Sequence, residues 1–167
     1  MLTLTEISDR LEIQDLMVDY CHAVDTRQWD LLDEVFAAGA VIDYAATGGP
    51  RGTLPEIKEF LGSVMGRFPA YQHLLGNASI RLDGDTATGR TMCQNPLVLP
   101  GGEGAADGGV LHCGMWYIDT FVRVAGIWRI AERLQEKSYM HFAPSAPSAP
   151  SAPGASRTPG AGGRPKG

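Results

Sequence analysis

The chain has 167 residues, 44% of them apolar, and a net charge of -5 at neutral pH, which suits one domain with a real core. Arg157, Arg164 and Lys166 all lie beyond residue 143, leaving 11 basic against 19 acidic residues before it. A body of that charge repels phosphate backbones and excludes nucleic acid as the expected partner; a small molecule is expected instead. No apolar run reaches the length of about 18 residues that suggests a membrane span, and MLTLTEISDR lacks a basic segment followed by an apolar one, so a cytoplasmic protein is expected. Cys21, Cys93 and Cys113 are odd in number and far apart, which fits reduced thiols better than disulfides or a metal site. No metal and no cofactor are expected.

Thr3 and Glu6 have the spacing of a capping box, so a helix begins there. Its apolar stripe runs through Ile13, Leu16, Met17, Tyr20, Cys21 and Val24 in steps of three and four, which turns Tyr20 inward. Asp25 ends the stripe. From local spacing, Asp25 or Thr26 is a cap for a second helix carrying Trp29, Leu32, Val35 and Phe36. After Gly39, AVIDY is a short strand and TGGPRG a loop. Thr53 and Glu56 repeat the capping box with Pro55 in the first turn, and a third helix buries Ile57, Phe60, Leu61 and Val64 before ending near Gly66.

From Tyr71 the period becomes that of a strand, with Tyr71, His73, Leu75 and Asn77 on one face. Asp83-Gly84-Asp85 is a hairpin turn, since Asp-Gly accepts the positive φ that tight turns need. The next strand, 86–99, contains Pro96 and is expected to fray or bulge at its far end. PGGEGAADGG is a loop at the mouth of whatever the sheet encloses. Strands 110–124 and 127–139 complete four long antiparallel strands. Helices followed by strands argue an α+β layer architecture, the helices covering one face of a curved sheet. From residue 143 an Ala-Pro-Ser repeat cannot bury a core, so 1–142 is the expected domain and 143–167 a disordered tail.

EIQDLMVDYCHAVDTRQWD, QHLLGN, LDGDTATGR and GIWRIAERL together resemble the SnoaL-like branch of the nuclear-transport-factor-2-like superfamily. These are cone-shaped α+β barrels that include scytalone dehydratase and hexachlorocyclohexane dehydrochlorinase. IQDL, AVDTRQ and HFAP are particularly similar to the dehydrochlorinase. The resemblance implies that Asp25 pairs with His73, the histidine acting as general base and the carboxylate fixing its tautomer. It also implies that Arg133 steadies a departing anion or an enolate-like charge. Arg129 is a weaker candidate, expected on the same strand face as Arg133. Tyr20 stands where the dehydrochlorinase has a lysine, which brings the chain nearer the dehydratases.

The resemblance therefore implies a cofactor-independent lyase or isomerase acting on a small hydrophobic hydroxyl- or carbonyl-bearing substrate, with catalytic His73, Asp25, Tyr20 and Arg133. A non-catalytic binding or accessory module and a dehydrohalogenase are the alternatives. Homo-trimers or homo-dimers are expected, because Trp116, Ile118 and Val122 make an outer sheet face that needs cover.

Overall fold

The computed structural model describes residues 1–102 and 108–145. Helix α1 spans Leu4–Asp25 and opens with the expected capping box: Thr3 accepts from the Glu6 N–H, and Glu6 accepts from the Thr3 N–H. Its inward face is Ile13, Leu16, Met17, Tyr20, Cys21 and Val24. Helix α2, Leu54–Val64, starts on the second box at Thr53 and Glu56 and buries Ile57 and Leu61. Between them, Trp29–Glu34 is a 3₁₀ helix. The expected second α-helix is thus shorter and tighter, because Phe36 already belongs to strand β1, Phe36–Asp43. Neither Asp25 nor Thr26 caps it: Gln28 occupies that position with no side-chain bond to the helix's own N–H groups, and Thr26 closes α1.

The strands are β1, β2 (Arg51–Thr53), β3 (Leu74–Asp83), β4 (Thr86–Leu99), β5 (Gly109–Val124) and β6 (Ile127–Ala143). They form one sheet in the order β2-β1-β6-β5-β4-β3. All pairings are antiparallel except β1 with β6, which run parallel. The four long strands are therefore joined by two from the helical half, and the fold is an α+β, mainly antiparallel sheet with helices packed on one face. The β3–β4 turn is as expected, with Gly84 at φ 59°.

The ladders carry four register shifts, and two of them bear on the residues singled out from the sequence. Strand β4 pairs with β5 without interruption from Thr86 to Leu99, Pro96 included; the shift lies in its other neighbour, between Leu75 and Ala78 of β3. On β6, Thr120 faces Glu132 while Phe121 faces Ile130, so Ala131 has no partner. That extra residue reverses the faces of the strand. Trp128 and Ile130 point inward before it and Arg133 and Gln135 after it. Arg129 is consequently on the face opposite Arg133, where it pairs with Glu34 at 2.8 Å.

Strand β6 continues through Ala143, four residues past the expected end. His141 there faces His112 across the ladder, and both are exposed. The tail beyond Ser145 and the loop residues 103–107 lie outside the described residues. No helix among those described is long and apolar enough to cross a membrane.

Candidate active site

The last turn of α1 and the segment entering β3 are tied together by Arg27 and Tyr71. Arg27 adopts a left-handed φ of 58° just past the helix, which reverses the chain. Its guanidinium donates to the Tyr71 hydroxyl at 3.1 Å and to the Phe68 carbonyl at 2.9 Å. Tyr71 in turn donates to the Val24 carbonyl at 3.0 Å. These bonds bring Asp25 and His73, 48 positions apart, into contact.

Asp25 Oδ1 lies 2.6 Å from His73 Nδ1, and Asp25 Oδ2 accepts from the His73 main-chain N–H at 2.9 Å. A carboxylate only accepts, so Nδ1 carries the hydrogen, and in the neutral ring the lone pair is the one on Nε2. The Asn95 amide, on β4, donates to that nitrogen at 3.1 Å. Sequence reasoning missed Asn95, whose only signal was a polar residue beside Pro96 on a strand of uncertain facing.

His73 and Asn95 sit on the wall of a cavity of about 260 Å³ between the helices and the inner sheet face. Phe60, Leu61, Met65, Phe68, Leu97 and Met140 make it apolar, while Tyr20, Tyr44, Thr47 and Gln135 add polar groups. Few polar groups in an apolar container is the usual make-up of a small-molecule site. Tyr20 and Tyr44 share a hydrogen bond of 2.6 Å between their hydroxyls, and the Thr47 hydroxyl bonds to Gln135. Burial pushes the Tyr20 hydroxyl above its ordinary pKa against the opposing pull of Arg133, so the phenol stays protonated and available as a donor.

Arg133 does not reach the cavity. It is fully buried behind Tyr20, bonded through Nε and Nη2 to Asp119 at 2.8 and 2.9 Å. Its guanidinium lies 4.0 Å from the Tyr20 ring centre and 4.2 Å from that of Tyr117. Burial opposes the charge, but Asp119 outweighs it and holds Arg133 well above its usual pKa. The structure thus brings Tyr20, Asp25 and His73 to one place and leaves Arg133 one layer behind. Asp25 touches the cavity only through His73.

A profile of the SnoaL-like domain matches residues 5–134. Rv2910c, an uncharacterized protein of Mycobacterium tuberculosis, is 52% identical over 139 residues, covering 83% of this chain and 92% of that one. Among solved structures, a scytalone dehydratase-like protein of Novosphingobium aromaticivorans superposes with a TM-score of 0.72 at 19% identity, covering 90% of this chain and 100% of the other. The dehydrochlorinase LinA-type3 of Novosphingobium barchaimii gives 0.73 at 19%, covering 88% and 98%. At such identities these two show a shared α+β fold and no more. The extent of the profile match and the 52% relative go further: the chain belongs to the SnoaL-like domain family.

Proposed function

We propose that the protein is a cofactor-independent lyase or isomerase that removes a proton from a small hydrophobic substrate bearing a hydroxyl or carbonyl group, dehydration being the leading reaction. The observation that carries this reading is the orientation of His73 on the cavity wall. Asp25 fixes the Nδ1–H tautomer, which leaves Nε2 as a base inside an apolar container. A binding module has no need of a half-buried carboxylate spent on one histidine. Tyr20 is the polarising donor on the same wall. Arg133 acts through Tyr20 rather than on the substrate, its charge favouring electron density on the phenol.

Retained or panel-identified ligands, found by mass spectrometry of the purified protein, supply the substrate for the test. His73→Ala should lose about 10²- to 10⁴-fold in turnover while ligand affinity stays near that of the parent. Equal turnover in the two proteins would remove His73 as the base, and ligand binding with no turnover in the parent protein would make it a binding module. Halide release from a chlorinated panel, without dehydration of any hydroxy compound, would make it a dehydrohalogenase.

A further inference from the structure

Helix α1 is tied to strand β3 near one end by Arg10, whose Nη1 donates to the Ile80 carbonyl at 2.8 Å. It is tied again where the chain enters β3, by Asp25 accepting from the His73 main-chain N–H at 2.9 Å. The ties are ~22 Å apart along the helix and ~23 Å apart along the strand, so the two elements are held at a fixed spacing. Among the described residues no other hydrogen bond joins α1 to β3 between them. In that interval lies a cleft of about 290 Å³, distinct from the cavity that His73 borders. The register of β3 changes there: Leu75 faces Cys93 and Ala78 faces Thr91, so Gly76 and Asn77 both stand against Met92. Ala78 lines the cleft and is exposed, because its methyl group is too short to reach the helix.

Met17, Val18, Leu75 and Ile80 give the cleft apolar walls, and no charged side chain lines it. A charged ligand would lose its water there and meet no counter-charge, so the cleft suits a neutral one. Its polar groups are Gln14, exposed at the rim, and Thr91. Thr91 is only 4% exposed, yet its hydroxyl has no hydrogen-bond partner among the described residues. Enclosed hydroxyls are nearly always bonded, so this one is a group that a ligand can satisfy. Along β4 the inward side chains run Asn95, Cys93, Thr91: the first borders the large cavity, the third borders the cleft, and the fully buried Cys93 stands between.

We propose that the cleft between α1 and β3 is a second ligand site, for a small neutral molecule with an apolar body and one hydroxyl group that bonds to Thr91. Thr91 offers both a donor and an acceptor, and so does the Gln14 carboxamide at the rim. A ligand hydroxyl, which donates and accepts, serves both residues at once, whereas a ketone or an ether only accepts. The apolar body gains by leaving water for Val18, Leu75 and Ile80. Because the ties at Arg10 and Asp25 keep α1 from closing on β3, the ligand meets a site already shaped for it. His73 takes no part in the binding.

The test uses phenol and toluene, which differ by a hydroxyl in place of a methyl group, titrated into the full-length protein and followed by methyl NMR. Phenol should move the signals of Val18, Leu75, Ala78 and Ile80 and should bind there more tightly than toluene. Thr91→Val keeps the shape of the side chain and removes its hydroxyl. It should weaken phenol about fivefold at these signals, the ratio usual for one neutral hydrogen bond, and leave toluene unchanged. Thr91→Ser should restore the preference for phenol. Ala78→Leu fills the cleft from its exposed wall and should abolish the movement of Val18 and Ile80 with both probes; this variant decides if Thr91→Val fails to fold. Movement confined to Leu97 and Met140 in the large cavity, equal affinity for the two probes in the parent protein, a Thr91→Val variant that still prefers phenol, or an Ala78→Leu variant that responds as the parent does would each overturn the proposal.

Discussion

Asp25 holds His73 twice, with one carboxylate oxygen on the ring nitrogen at 2.6 Å and the other on the main-chain N–H at 2.9 Å. The double hold fixes both where β3 begins and how the ring is turned. In Asp25→Asn one arm becomes a donor. If the oxygen keeps the main-chain N–H, the amide faces Nδ1 and moves the ring hydrogen to Nε2. The base then has no lone pair toward the cavity. Turnover should fall about 10²- to 10⁴-fold, and a double variant with His73→Ala should be no worse than the worse single one. Nitrogen-15 NMR of the ring reads the tautomer without any substrate; an unchanged Nδ1–H signal in Asp25→Asn would contradict the argument.

Arg133 and Asp119 form a buried pair that faces across β5 and β6, both side chains fully enclosed. Removing one partner strands the other charge, a loss of about 3–5 kcal/mol in comparable sites. For a chain of this size that lowers Tm by roughly 10 °C. Arg133→Met should show the drop in a thermal melt at neutral pH, and Asp119→Leu added to it should recover much of the loss. A melt of Arg133→Met that matches the parent would mean the pair contributes nothing.

The two capped α-helices, the turn at Gly84 and the meeting of Asp25 with His73 were legible because each rests on local chemistry or on residues quoted by the resemblance. Two capping boxes start two helices, and both are where the spacing puts them. The inserted Ala131 was not legible. Nothing in GIWRIAERL distinguishes a continuous strand from one with an extra residue, yet that residue decides which of Arg129 and Arg133 is enclosed. The parallel pairing of β1 with β6 joins segments about 90 residues apart, which no local pattern encodes. Asn95 was invisible for a related reason: its facing depends on β4 staying in register past Pro96.

Burial raises the Cys21 thiol to about 12, and burial likewise raises Cys93 and Cys113. Since the thiolate is the nucleophile, all three should react slowly with an aromatic disulfide reagent in the native protein at pH 8. Cys113 should be modified first, because it alone of the three lines the cavity. Mass spectrometry of the partly modified protein gives the order, and denaturant should release all three. Modification of Cys21 ahead of Cys113 would place the access route elsewhere than through the cavity.

The outer face of the sheet carries the last prediction. Trp116, Ile118 and Val122 alternate outward on β5, and Leu134, opposite Ile118 on β6, is 43% exposed. Arg90 lies 4.1 Å over the Trp116 ring and bonds to Glu136 at 2.6 Å, so the apolar strip has a charged border. An apolar strip bordered by charges is how subunit contacts are commonly built. The protein is expected to self-associate as a dimer or trimer through this face. Leu134→Glu should weaken that association, because it sets a charge into the middle of the strip, and it should leave the fold intact, because the side chain already meets solvent. Sedimentation velocity at micromolar concentration reads the outcome: a monomeric parent protein, or a Leu134→Glu variant that associates as the parent does, would rule this face out.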